Sequence, residues 1–202
     1  MNGHRAWFLL LTFVLGASLL APVEGEAVDD KYRVALPFEE VKVTRQVSEA
    51  LQQKNYGKLE NAINLLEPVL KHLNEQYATG GGKRTLLKDI KGAVSSGDDA
   101  AIRDATVRFL FYNLRDLLRL GHEYAKEGNT SRAGVYVKKG LLIYKASLQP
   151  FIENQGDKSG AIRAVSTGIQ KLNQSLGSPG AYGSEMEKVE EALRKLFPRV
   201  SG

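Results

Sequence analysis

Between Asp99 and Glu127 the chain runs without a proline while Ile102, Ala105, Phe109, Leu110, Phe111, Tyr112, Leu114, Leu117, Leu118, Leu120 and Tyr124 recur at helical spacing. A helix of that extent is roughly 40 Å long. Its apolar residues wrap more than one face, so no single neighbour can cover them and several helices must. Asp98 and Asp99 supply a cap and negative charge where a helix N-terminus favours both. Gly128-Asn129 turns the chain at the other end.

The flanking segments provide the partners. Phe38 to Asn55 carries Val41, Val43, Val47, Ala50 and Leu51 mostly at helical spacing, with Pro37 placed to open the helix and Tyr56-Gly57 expected to interrupt it. Leu59, Ala62, Ile63, Leu66, Val69, Leu70, Leu73 and Tyr77 form a second amphipathic run. Pro68 predicts a kink or break near 64–68. Leu86 to Val94 predicts a short helix. A longer one is expected from a cap at Thr130 or Ser131 to about Ile152, and another from Asp157 to Leu176. Gly177-Ser178-Pro179-Gly180 is expected to break the chain before a last helix from Ser184 to Phe197, where Ser184 and Glu187 have capping-box spacing. No stretch alternates as a strand does. Short turns between helices favour antiparallel neighbours, so the expected fold is an all-α, up-and-down antiparallel helical bundle.

One local pattern offers an alternative. Leu117, Leu120, Gly121, Tyr124, Gly128, Ala133, Val137 and Gly140 resemble, in order and spacing, one tetratricopeptide-type helix pair. Small residues at Gly121, Ala133 and Gly140 would let two helices approach closely. Gly156-Asp157 with Ala161, Val165 and Gly168 partly echoes the second half, but after 28 residues instead of the family's 34. The resemblance covers about one unit and implies a short helix-hairpin array.

The N-terminus reads as an address. Arg5 precedes a charge-free run of 15 residues, Ala6 to Leu20, and Ala21-Pro22-Val23-Glu24-Gly25 follows. This is the form of a cleavable secretory signal peptide over residues 1–25, with Val23 and Gly25 as the small residues before the cut. Retention as an uncleaved anchor is the alternative. After cleavage no further run approaches the roughly 20 apolar residues of a membrane span. Residues 26–37 form a polar lead-in, and 38–202 a single helical domain with a Gly-rich linker at 79–83. The chain has no cysteine, which excludes disulfides, thiolate zinc, iron–sulfur clusters and cysteine catalysis. Export without disulfides suits a bacterial envelope, so the expected location is periplasmic or extracellular.

The candidate binding residues form a stripe on the long helix: Arg108, Tyr112, Arg115, Arg119, His122 and Lys126, at successive spacings of four, three, four, three and four. Arginine forks around an aromatic suit carboxylate, phosphate or an acidic partner surface. Lys138, Lys139 and Lys145 on the next helix can add to it. From Lys83 to Lys145 there are 13 Lys and Arg against 7 Asp and Glu, which concentrates there the overall charge of +5. The plainer reading is a solvated helix side on which Asp104, Asp116, Glu123 and Glu127 form exposed ion pairs. If the stripe binds, reversing charge at Arg115 and Arg119 together is expected to abolish capture and leave helicity and melting unchanged.

A second constellation is His72-Leu73-Asn74-Glu75, which sets an imidazole and a carboxylate three apart on one helix face. Helical bundles use such pairs in transition-metal sites completed from other helices. Glu67 and Tyr77 lie nearby, and His122-Glu123 with Glu127 is a weaker case. Nothing in the sequence requires a cofactor. Paired carboxylates such as Glu190-Glu191 fall on expected exposed faces. There is no Gly-x-Ser-x-Gly elbow, and Gly80-Gly81-Gly82-Lys83-Arg84-Thr85 lacks P-loop spacing. Nor do charge and aromatics combine as in nucleic-acid binders. The leading expectation is a non-enzymatic envelope bundle that binds a partner protein or small anionic ligand. The alternative is a periplasmic metal-binding bundle using His72 and Glu75.

Overall fold

The computed structural model describes residues 39–77, 85–153 and 159–198, so the segments expected as signal peptide (1–25), polar lead-in (26–37) and Gly-rich linker (79–83) lie outside the described residues. Within them the chain is helical, with no strand. The helices are α1 (Glu39–Gln52), α2 (Tyr56–Leu65), α3 (Glu67–Gln76), α4 (Leu86–Ser96), α5 (Asp99–Lys126), α6 (Thr130–Ile143), α7 (Gln149–Glu153), α8 (Ser159–Gln174) and α9 (Pro179–Leu196). A π-helical turn, Tyr144–Leu148, joins α6 to α7.

The long helix forms as its pattern requires. Asp98 caps α5 by accepting from the N–H groups of Ala100 and Ala101, and Gly97 enters that cap at φ 69°, a left-handed conformation that glycine adopts without strain. Phe109, Leu110, Leu114, Leu117, Leu118 and Leu120 are wholly buried along its length. Four helices close around this core: α5 packs on α6, α6 on α8, α8 on α9, and α9 back on α5. Cross-contacts fix the directions. Tyr124 stacks on Tyr136, Tyr144 Oη donates to the Ile162 carbonyl, and Tyr182 Oη donates to the Leu118 carbonyl. A Cβ at Gly140 would meet Leu118, one at Gly134 would meet Leu176, and Arg115 bonds Glu190. Numbers therefore fall along one helix as they rise along the other in the α5–α6, α6–α8 and α5–α9 pairs, as in an up-and-down bundle. An open helix-hairpin array would leave its last helix away from its first; here α9 covers α5. The small residues do bring α5 and α6 together: a Cβ added at Gly140 would stand 3.0 Å from Leu118 Cδ2.

The remaining helices lie over α5 and α6. Helix α4 packs on α5, α3 on both α4 and α5, and α1 on α2, α5 and α6. Ser48 Oγ donates to the Ser147 carbonyl, and Lys139 Nζ lies 3.8 Å from Glu40 Oε2. Both contacts share one register in which numbers rise together, so α1 runs parallel to α6. That neighbour departs from the antiparallel rule because α2 to α5 intervene in the chain.

Several boundaries differ from the expectation. The interruption after α1 falls at 53–55, where Lys54 takes φ 51°; Asn55 caps α2 by accepting from the Lys58 N–H, so Tyr56 and Gly57 are already helical. Pro68 breaks the second run outright, and sits in the first turn of α3 where its missing N–H costs nothing. Asn129, not Thr130 or Ser131, caps α6 through the Arg132 N–H. Helix α9 begins at Pro179, five residues before the expected Ser184, so Ser184 lies inside the helix and no capping box forms. The segment to Ile152 is not uniformly α: the Gln149 N–H reaches back to Tyr144 O, widening the turn just before Pro150. A proline crowds the carbonyl four residues behind it, and a wider turn relieves that contact.

Candidate functional site

The stripe stays together on one side of α5, but its members do different work. Tyr112 is core: its ring lies 5.1 Å from that of Tyr77 on α3's C-terminal end and is buried. His122 is half-buried, stacks on Tyr182 at 5.2 Å, and its Nε2 lies 3.0 Å from the Pro179 carbonyl at the start of α9. Arg119 directs Nε (3.2 Å) and Nη2 (2.9 Å) onto one oxygen of Asp116. Arg115 donates from Nε to Glu190 Oε1 of α9 at 2.9 Å while its guanidinium covers the Tyr77 ring at 5.1 Å. Arg108 lies 3.7 Å from Asp89 of α4, and Lys126 3.4 Å from Glu123.

Asp116 is the centre of this arrangement, although the sequence predicts for it an exposed ion pair. It is instead completely buried. A buried carboxylate needs compensation, which Arg119 supplies. His72 of α3 approaches the same oxygen, with Nε2 at 3.8 Å. The Tyr77 hydroxyl completes the cluster. Burial above all, and then the Asp116 charge, hold its phenol well above the ordinary range, against the opposing pull of Arg119 and Arg115. Glu190 is likewise half-buried against Arg115 and not on an open face.

His72 and Glu75 do not come together as a ligand pair. His72 turns inward to Asp116, whereas Glu75 is exposed. Among the described residues no group of three or more His, Asp or Glu side chains is arranged to hold a metal ion. Lys139, expected to extend the stripe, faces the other way: it is buried beside Glu40 of α1, with Nζ 5.3 Å from the centre of the Tyr136 ring.

Asp116, Glu190, Tyr182 and Glu40 were not among the candidate residues. Asp116 did carry a signal. Phe109, Tyr112, Asp116 and Leu120 follow at three, four and four, so this aspartate sits in an otherwise apolar row of α5. The others depend on which helices become neighbours. No protein-family model, curated protein or solved structure matches the chain.

Proposed function

We propose that this chain is an exported, non-enzymatic helical bundle that binds an anionic group of a partner protein, or a small anionic ligand, in the cell envelope, with Arg108 and Arg115 of α5 as its contact residues. The observation that carries this reading is the state of those two guanidiniums. They stand seven residues apart, about 10 Å along the helix. Each is about one-third exposed, at 36% and 32% of the side chain. Arg115 bonds Glu190 through Nε alone, and Arg108 meets Asp89 only at ion-pair distance. A guanidinium has five N–H donors, so most remain for a planar carboxylate or phosphate. Tyr112, Arg119 and His122 hold the helix side that presents them. The absence of a span-length apolar helix among the described residues is compatible with a protein acting in an aqueous compartment.

The structure changes the variant that tests this. Arg119 neutralises a buried carboxylate, so reversing its charge would disrupt the fold and lose capture for that reason. Arg108→Ala is the clean probe, with Lys195→Ala on α9 as control. Immobilised chain is exposed to an envelope extract and the retained proteins are quantified. A partner retained by wild type and by Lys195→Ala but lost with Arg108→Ala supports the reading. Retention undiminished by Arg108→Ala contradicts it, and no protein specifically retained contradicts its partner-protein form.

A further inference from the structure

The turn between α5 and α6 carries a motif that the packing of the bundle leaves accessible. Asn129-Thr130-Ser131 and Asn173-Gln174-Ser175 are the two Asn-x-Ser/Thr triplets of the chain, the acceptor pattern for N-linked oligosaccharide in exported proteins. Structure separates them. Residues 126–132 form the longest run of consecutive exposed residues among the described ones, and the first triplet lies inside it. Gly128 takes φ 78°, which glycine adopts without strain, and turns the chain there. Asn129 then caps α6, its Oδ1 accepting from the Arg132 N–H at 3.1 Å. Only the amide oxygen can accept from an N–H, so the cap leaves Nδ2, the atom that would carry a sugar, outside that bond. The Ser131 side chain is exposed two residues on. The second triplet is engaged with the bundle. Asn173 lies within α8 with its Oδ1 3.7 Å from where a Cβ on Gly134 of α6 would stand, and Ser175 Oγ donates to the Lys171 carbonyl at 3.0 Å.

We infer that Asn129 is the acceptor of an N-linked oligosaccharide, transferred from a polyprenyl diphosphate carrier. In that step a bond forms between Nδ2 and the anomeric carbon of the first sugar, and the bond from that carbon to the diphosphate oxygen breaks. Polyprenyl diphosphate leaves with the electron pair, and Nδ2 gives up one proton to a base of the transferring enzyme. Thr130 and Ser131 belong to the first turn of α6, and helix ends open at almost no cost, so the triplet can extend for transfer. The product keeps its amide carbonyl, so the cap on Arg132 re-forms with the sugar in place. The ligand contact is spared as well: Arg108 precedes Lys126, the last residue of α5, by 18 residues, about 27 Å along the axis. The inference rests on the exported location proposed above, since exported chains are the ones that meet such a donor. It does not depend on the contact at Arg108 and Arg115.

The test uses the purified full chain with a purified oligosaccharyltransferase and a polyprenyl-diphosphate-linked oligosaccharide, read by intact mass and peptide mapping. Wild type and Asn173→Asp are expected to gain one oligosaccharide on Asn129. Asn129→Asp keeps an oxygen for the Arg132 N–H but offers no amide nitrogen, so it is expected to fold as wild type does and to gain none. Ser131→Ala removes the hydroxyl of the triplet and leaves the cap, and is expected to lose most of the transfer. Wild type left unmodified overturns the proposal. So does undiminished transfer to Asn129→Asp or to Ser131→Ala, or transfer to Asn173 in preference to Asn129. The reaction needs no export, so its failure is distinct from failure of the location reading, which is scored by removal of residues 1–25 on expression.

Discussion

The cationic side of α5 and the cationic side of α6 and α8 contain the same residue types but differ in where their counter-charges lie. On α5, Arg108, Arg115, Arg119 and Lys126 each meet a carboxylate of this chain, from α4, from α9 or from α5 itself. On the outward side of α6 and α8 neither helix supplies one. The first arrangement uses charge to fix neighbouring helices and leaves only the spare donors of Arg108 and Arg115 for a ligand. On the second, Lys145 and Arg163 are exposed and contribute little to folding. Similar local composition therefore conceals two different uses of Lys and Arg.

The comparison is broken most readily at Asp116. Asp116→Ala leaves Arg119 beside a cavity with no carboxylate, and the loss of a buried partner is expected to cost about 3 kcal/mol in urea unfolding. A loss under ~0.5 kcal/mol, typical of a surface change, would remove the distinction between the two faces.

Alkaline unfolding sharpens it. Burial raises the Tyr77 and Tyr182 phenols above their ordinary value of 10.0, and both contact α5. The unfolded chain then loses these protons first as pH rises. Their contribution to stability is complete below about pH 10 and is lost as pH climbs through the folded values. Absorbance of tyrosinate should show that the Tyr77 and Tyr182 phenols titrate only as the helices melt. Tyr77→Phe should make the alkaline fall shallower; an unchanged slope would place Tyr77 in contact with water.

A smaller effect is expected at Arg115→Gln. This residue is part-exposed, so loss of the Glu190 bond and the Tyr77 contact should cost about 1 kcal/mol. Glu190→Gln should cost less than that again when combined with it, in a double-mutant cycle. Strict additivity would show that the two side chains do not interact in solution.

Much of the fold is legible locally. The limits of α5 follow from Asp98 at one end and Gly128 at the other, and Pro68 dictates a break wherever the surrounding run is helical. Where two local signals compete, reading is harder. Ser178-Pro179 and Ser184-Glu187 both qualify as helix starts, and the earlier prevails because Pro179 is already set for the first turn. The widened turn before Pro150 has no periodic signature. The stripe on α5 is legible as a stripe, since its spacing is a property of one helix. What each member does is not, because Asp116, Glu190 and Tyr77 arrive from the burial of α5 or from other helices. Lys139 shows the same limit: adjacent to exposed Lys138 in sequence, it is turned inward by α1.

Equilibrium urea unfolding of Arg119→Gln beside Lys145→Gln tests the central claim most directly, since each variant removes one positive charge from one of the two faces. Arg119→Gln is expected to lose about 2 kcal/mol, because its neighbour is a buried carboxylate. Lys145→Gln is expected to remain within about 0.5 kcal/mol of wild type. Equal losses in the two variants would contradict the assignment of the Arg119 charge to the fold and of the Lys145 charge to the solvated surface.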